Sequence, residues 1–473
     1  MFFKKRNRGY TTLLVIVFGG IFVFAVSALS GRVLVEQDAE RARMHKAQAR
    51  GIAEAGLEYY KWYLAHNPDD TQHGTGGAGP YEVDYEDSEG DVSGTFSLDI
   101  EGNEQCGAIT SIDISSTGWS DEAPTVRATV TGRYAQPSVA EFAYIVDDNV
   151  WVGDDRQISG AYHANGGIRF DGTSNSEVTS AVDTWTCTSS FGCSPASTTP
   201  GVFGDGSDQD LWEYPAAQFD FSGIAQDYAD LRSLAIADGI HFSTYGGHSV
   251  EGRGYKLVFK NDRSVDIYRV RRSNWYWGVH IDSGDYERDY YEPRGGSNTR
   301  FVGNYDIPED CGLIYIGDRV WVSGVVSGKV TLVAADTTHA GYEPKVIIED
   351  DIEYLNGGGE DGLTILAEGD IHVSPVSPDD LDIQAILVAQ EGYFGRNRYD
   401  CFSGAYQLRD TLTMLGSIIS NGRVGTKWGD GTGCYSSGYQ NRVNNYDRDL
   451  ATDPPPFTPT ASPDYQFVEW RED

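Results

Sequence analysis

A mainly β protein behind one long N-terminal α-helix is the fold class this chain predicts, and three observations carry that expectation. An uncharged, largely apolar run from Tyr10 to Leu29 passes without a break into a charged stretch of helical spacing that reaches Asn67. From Tyr81 the apolar period falls to two, the spacing of a half-buried strand. From about Glu141 short apolar strands recur between Gly, Asn and Asp, with helical spacing confined to one insertion.

The helix comes first. A short basic head (Lys4, Lys5, Arg6, Arg8) ends at Gly9 before the apolar run begins. About 20 apolar residues cross a ~30 Å hydrocarbon core as a helix, and cations on the N-terminal flank keep that end cytoplasmic. The expected arrangement is a single-pass membrane protein with its bulk outside the cytoplasm. An uncleaved signal anchor shares these features. A signal peptide cut after the run fits less well, because the run is long for such a segment and Ser27-Ala28-Leu29 leads into more helix. Beyond the run, Asp38 with Arg41, Arg50 with Glu54 and Glu58 with Lys61 place opposite charges near helical spacing. Val33, Ile52, Leu57, Tyr60 and Leu64 form an apolar stripe. Asn67-Pro68 ends the helix.

A glycine-rich break from Gly74 to Gly79, closed by Pro80, separates the helix from a β head over residues 75–137. Its strands are read at Tyr81–Tyr85, Val92–Ile100, Ile112–Ser116 and Val126–Tyr134. Residues 138–440 carry the short strands, among them Phe142–Val146, Val150–Val152, Gly167–Phe170, Leu313–Ile316, Val330–Ala334, Leu363–Ala367, Ile383–Ala389 and Leu412–Ile419. Quasi-regular spacing without intervening helices predicts a parallel β-solenoid-like domain whose coils stack on one another; a many-stranded sandwich shares the local signals. An α/β insertion is expected at about 205–310, with a helix from Phe221 to Asp238 capped by Ser222 and a hairpin turning at Asn261-Asp262-Arg263. Residues 273–300 are aromatic and polar without a clear period. The tail, 441–473, containing Pro454-Pro455-Pro456, reads as a C-terminal strap.

Composition narrows the function. A formal net charge of −35 repels phosphate backbones, which argues against nucleic acid as a partner and favours divalent cations. Six cysteines in an exported chain predict disulfides. Cys187 with Cys193 is the first choice as a local staple, and Cys401 with Cys434 would close a longer loop. No CxxC pair is present, and the spacings fit no zinc finger.

No catalytic motif emerges, and the chain is read as non-enzymatic with no cofactor beyond calcium. HExxH, GxxxxGK[ST] and GxSxG are absent; Gly247-His248-Ser249-Val250-Glu251 imitates the last but ends in glutamate before a hairpin. Gly429 to Cys434 is a glycine-rich turn outside any βαβ unit. Asp205, Asp208 and Asp210 form the candidate calcium loop, with Asp147-Asp148 and Asp154-Asp155 as a second; hard cations take oxygens from such alternation, although simple solvated turns are the favoured explanation. Trp275, Tyr276, Trp277, Tyr286, Tyr290 and Tyr291, flanked by Arg272, Arg288 and Arg294, are the candidate partner-binding residues, suited to stacking on a sugar or to a protein hot spot, or else to packing the insertion. Glu349-Asp350-Asp351, Glu368, Asp370 and Glu391 with Arg396 keep open an alternative: a membrane-anchored β-helix protein that binds or degrades polysaccharide through paired carboxylates.

The N-terminal residues resemble a type IV prepilin of the minor-pilin kind. The basic leader Met1–Gly9, the apolar run from Tyr10 and the alanine-rich stretch Ala47 to Glu58 carry the resemblance, which covers about residues 4–66. It implies cleavage by a prepilin peptidase after Gly9, N-methylation of Tyr10, residence in the inner membrane before assembly, and partnership with other pilin subunits through the helix. The four strands of 75–137 are similar to a pilin head. The glutamate that such proteins usually carry five residues after the cut is Leu14 here, which implies a minor or tip subunit. The large acidic head would then serve surface adhesion to a glycan or cell-surface ligand.

Overall fold

The computed structural model describes the chain except residues 1–9, 68–69, 222–226, 246–251, 282, 292–297, 340, 402–405, 430 and 473, and gives backbone alone at 28, 30, 31 and 33–35. The leader with Gly9, the Gly247–Glu251 segment, the Ser222 cap and Arg294 therefore lie outside the described residues. The protein is mostly β behind one long helix, and it divides into two compact units.

The first unit comprises residues 1–102, 112–134 and 469–473. Helix α1 spans Tyr10–His66 in one piece. Its start, Tyr10–Ser27, is long and apolar enough to cross a membrane, and none of it is buried. Its other end is amphipathic: Ala49, Ile52, Ala53, Leu57, Tyr60 and Leu64 are buried. They pack on strands β1 (Tyr81–Glu86), β2 (Val92–Gln105), β3 (Ala108–Ser120) and β4 (Ala128–Ala135), with β1–β2 and β3–β4 antiparallel. Helix and sheet approach closely because glycines stand where they cross. A Cβ on Gly94 would lie 2.6 Å from Ile52 Cδ1, and one on Gly118 would strike the backbone of Ala49, Ile52 and Ala53.

A fifth strand completes this sheet, Gln466–Glu472 beside β4. The tail expected as a strap over 441–473 thus carries regular structure at both ends. It opens inside the strand Ser437–Asn445, which a short helix follows, Arg448–Thr452, capped by Asp447; its end is the sheet edge. Arg50 ties α1 to that edge, bonding Glu472 at 2.7 Å and lying 5.4 Å from the Trp470 ring centre. Only the middle of the tail behaves as a strap, where Thr331 Oγ1 donates to the Pro456 carbonyl and Thr458 pairs with Thr364.

The second unit, residues 103–111 and 135–468, is a large β domain. Its long stacked ladders are parallel, where a sandwich's would be antiparallel, while antiparallel pairing joins side strands such as Ser264–Val270 to Gly254–Phe259 and to Thr299–Asp306. One ladder runs Ile240, Ile314, Leu332, Ile365, Leu387, Ile418, Tyr144, Tyr162, Val178, Trp212. A second stacks Leu257, Val322, Ile348 and Val373; a third stacks Ile352, Ile383, Met414, Asn444 and Ile158. The apolar members of all three share one core. Branched side chains stacked in register let each coil bury the next, so every coil depends on its neighbours.

Two features depart from the sequence reading. The coils are not stacked in chain order: Phe142–Val146 pairs with the end of Leu408–Ser420, so the first coils of the unit extend beyond its last. The proposed 205–310 insertion is also partly stack, since Ile240–Phe242 and Gly254–Phe259 open the parallel ladders. Its helix is Tyr228–Ala237, capped by Asp227, and covers the outer side of the first ladder through Leu231 and Ala235.

Disulfides join Cys187 to Cys193, Cys401 to Cys434, and Cys106 to Cys311. Where early and late coils meet, Lys427 Nζ and Arg442 Nη2 each donate to Asp155 at 2.8 Å. Partial burial alone would raise the Asp155 pKa, but these two cations overcome it and bring it to about 2. The folded value therefore lies below the unfolded one of about 3.9, so the pair contributes its full stability above pH ~4 and loses it as pH falls towards 2. Urea unfolding of the wild type and Asp155→Asn between pH 2 and 6 should show a stability gap that closes at the acid end.

Candidate functional site

The aromatic segment that lacked an evident period is a hairpin, Asn274–Val279 antiparallel to Tyr286–Tyr291. Strand alternation sorts its side chains. Trp275, Trp277 and Tyr286 are exposed, at 42%, 46% and 64% of their surface. Arg288 lies between the two tryptophans, 5.0 and 5.6 Å from their ring centres, where a guanidinium gains from the ring faces. Tyr276 turns inward against Tyr406 and Tyr399, and Tyr291 approaches Tyr406. The Tyr290 ring meets Arg319 and its carbonyl accepts from Trp321 Nε1. The six aromatics therefore divide between an outward rim and an inward anchor.

Under the rim the hairpin and the outer side of the second ladder enclose a cleft of about 390 Å³ lined by Trp277, Tyr286, Glu287, Asp289, Arg319, Lys345, His372 and Asn397, among others. The two elements contribute different groups. Glu287 and Asp289, two residues apart on one strand, point the same way. His372 is the outward residue of the apolar strand Ile371–Val373, stacked on Ile347 and Trp321. Lys345 stands just before the neighbouring strand, Val346–Tyr354.

The polar network is dense. Tyr399 OH donates to Asp289 Oδ2 at 2.6 Å, and Asn397 Nδ2 donates to both Asp289 oxygens at 2.9 and 3.1 Å and to Glu287. Lys345 Nζ sits 2.5 Å from Asp370 and 3.7 Å from Glu287. His372 Nδ1 is 3.7 Å from Asp289 Oδ1, and its Nε2 is 3.5 Å from Asp370 Oδ2. Burial pushes the Asp289 carboxyl up from its ordinary value, and the Glu287 charge adds to that. Burial acts the same way on Glu287 and Asp370, but His372 and Lys345 outweigh it and hold both below the usual carboxylate range. Lys345 is lowered by burial and raised further by Asp370 and Glu287, ending above its ordinary value. At neutral pH the cleft thus holds an ammonium and two firm carboxylates under an aromatic lip, an arrangement able to hydrogen-bond a polyhydroxylated ligand.

Other sequence candidates fall elsewhere. Asp205, Asp208 and Asp210 are exposed on a turn, where Asp208 accepts from the adjacent Ser207 and Asp205 N donates to Asp171; the structure does not gather the three into a group. Asp147 accepts from Asn165, and Asp155 serves Lys427 and Arg442. Of the charged residues marked for the polysaccharide alternative, Asp370 joins the cleft network, Glu368 accepts from Asp336 N, and Arg396 is wholly buried. Glu287, Asp289, Lys345, His372 and Asn397 escaped the sequence reading. The alternation of Glu287 and Asp289 inside an aromatic strand, and one histidine in an otherwise apolar strand, were the available signals.

No protein-family model matches the chain, and no curated protein matches it. Among solved structures, the competence-associated pilin ComZ from Thermus thermophilus is similar over 91% of this chain and 97% of its own, with 14% identity and a TM-score of 0.29. A TM-score that low transfers no function.

Proposed function

We propose that the chain is a non-enzymatic type IV pilus-like subunit of the minor or tip kind, displaying its β-rich second unit for adhesion. One observation carries the reading: α1 is continuous, fully exposed and apolar at its start, and buried on an antiparallel sheet at its end. Ile16 (70% exposed), Phe22 (69%) and Phe24 (77%) need a cover, and each such side chain gains about 1.5–3 kcal/mol when fully buried. Lipid supplies that cover before assembly, and other pilin helices supply it in a filament. The prepilin-like leader supports processing after Gly9, and Leu14 together with the large acidic head favours a minor or tip position. The rim of Trp275, Trp277 and Tyr286 over a polar cleft supports a glycan as the adhesive ligand.

A second reading, a membrane-anchored carbohydrate-binding protein that never enters a filament, draws on the same rim. Mass spectrometry of the surface protein separates the two. A subunit begins at an N-methylated Tyr10 and appears in sheared filaments; retention of Met1 and recovery in membranes alone would sink the pilus reading. In either case Trp277→Ala should abolish glycan retention while leaving the amount of surface protein unchanged.

A further inference from the structure

We propose that Glu287, Asp289 and His372 bind a divalent transition-metal ion of the zinc type, which pins the aromatic hairpin to the solenoid strand beneath it. One ligand atom from each residue lies within 4.8 Å of the other two. Ligands about one tetrahedral ion, with bonds of about 2.0–2.2 Å, stand some 3–4 Å apart, so modest side-chain rotations close the set. Two carboxylates alone would be weak grounds; the imidazole is what singles out this cluster. His372 is more than nine-tenths buried; its Nδ1, the nitrogen turned towards Asp289 at 3.7 Å, stops short of a hydrogen bond to it, and its Nε2, turned towards Asp370, makes none either.

The surroundings supply the features that a metal histidine needs. With Nδ1 facing Asp289 at 3.7 Å, Nε2 faces the Asp370 carboxylate at 3.5 Å. A carboxylate behind a ligating ring fixes its tautomer and raises its basicity. Lys345 is engaged with Asp370 at 2.5 Å and stands farther, 3.7 Å, from Glu287. Asp289 takes hydrogen bonds from the neutral Asn397 and Tyr399, and among the described residues the group in ion-pair range of it is the His372 ring. A buried carboxylate without a strong cation gains most from a dication. The nitrogen donor favours a zinc-type ion over calcium or magnesium, which take oxygen. Positions left open on the ion would face the cleft below Trp277, available to water or to a ligand hydroxyl.

The test uses the full-length, disulfide-intact chain without an affinity tag, in detergent, stripped with EDTA and titrated calorimetrically with Zn²⁺ alone and with Ca²⁺ alone. Saturable zinc binding is expected, weakened at least tenfold by His372→Ala and by the near-isosteric Asp289→Asn, and unchanged by Asp208→Asn on the exposed aspartate turn. Zinc should also slow amide exchange across Tyr286–Tyr291 in the wild type and not in His372→Ala; near-UV dichroism establishes that the variants are folded. Absence of zinc binding, zinc affinity equal in wild type and both cleft variants, or a preference for calcium overturns the proposal.

Discussion

Gly118→Val should unfold the first unit with a loss of more than about 3 kcal/mol, whereas Gly51→Ala, in the same helix turn but on its exposed face, should stabilise it slightly. At Gly118 the added carbon would meet the carbonyl of Ala49 and the amide of Ala53, with the Ile52 carbonyl carbon at 2.9 Å. These are backbone atoms of a packed helix and cannot rotate aside, so the cost exceeds the ~1–3 kcal/mol typical of overpacking by flexible neighbours. The helix would have to lift from the sheet, exposing Ala49, Ile52 and Ala53. Gly51 has nothing within 4 Å of its would-be Cβ, so alanine there only removes helix-weakening freedom, a gain of about 0.5–1 kcal/mol. Denaturant unfolding followed by near-UV dichroism reads both changes. If Gly118→Val unfolds like the wild type, the close approach of helix and sheet is wrong.

Leu387→Ala carries the second large effect, about 2–5 kcal/mol, the range for emptying a buried leucine site. Leu387 is fully buried in the middle of the longest ladder, between Ile365 and Ile418. A cavity there removes contacts from the coils on both sides, and stacked coils lend one another their stability. Faster amide exchange should therefore spread beyond the mutated strand to Gly362–Ala367 and Leu408–Ser420. Ile236→Ala, at an exposed site on the covering helix, should change stability by less than about 0.5 kcal/mol. A Leu387→Ala loss confined to its own strand would contradict the stacked arrangement.

How much of this was legible in the chain depended on the range of the interaction. Tyr10–His66 announced itself through an apolar run and i, i+4 charges, which are contained within a few turns. The strands of the head and the solenoid-like stack announced themselves through alternation and short branched runs. Cys187 and Cys193 are six residues apart and close a small loop. Gln466–Glu472 went unread because its partner strand, β4, lies more than 300 residues earlier, and an edge strand of mixed polarity has little pattern of its own. The cleft was hidden for the same reason: its carboxylates come from a hairpin and its histidine from a strand some 80 residues later.

Local periodicity, set by backbone geometry and by which side chains water excludes, by itself determined that this is one long helix followed by many short strands. Tertiary structure alone decided which strands are neighbours, that early coils stack beyond late ones, and that Glu287, Asp289 and His372 meet. The physical reason is that a strand's hydrogen-bonding edge accepts any strand of matching length, so its partner is selected by burial summed over the whole stack, a quantity no short window of residues contains.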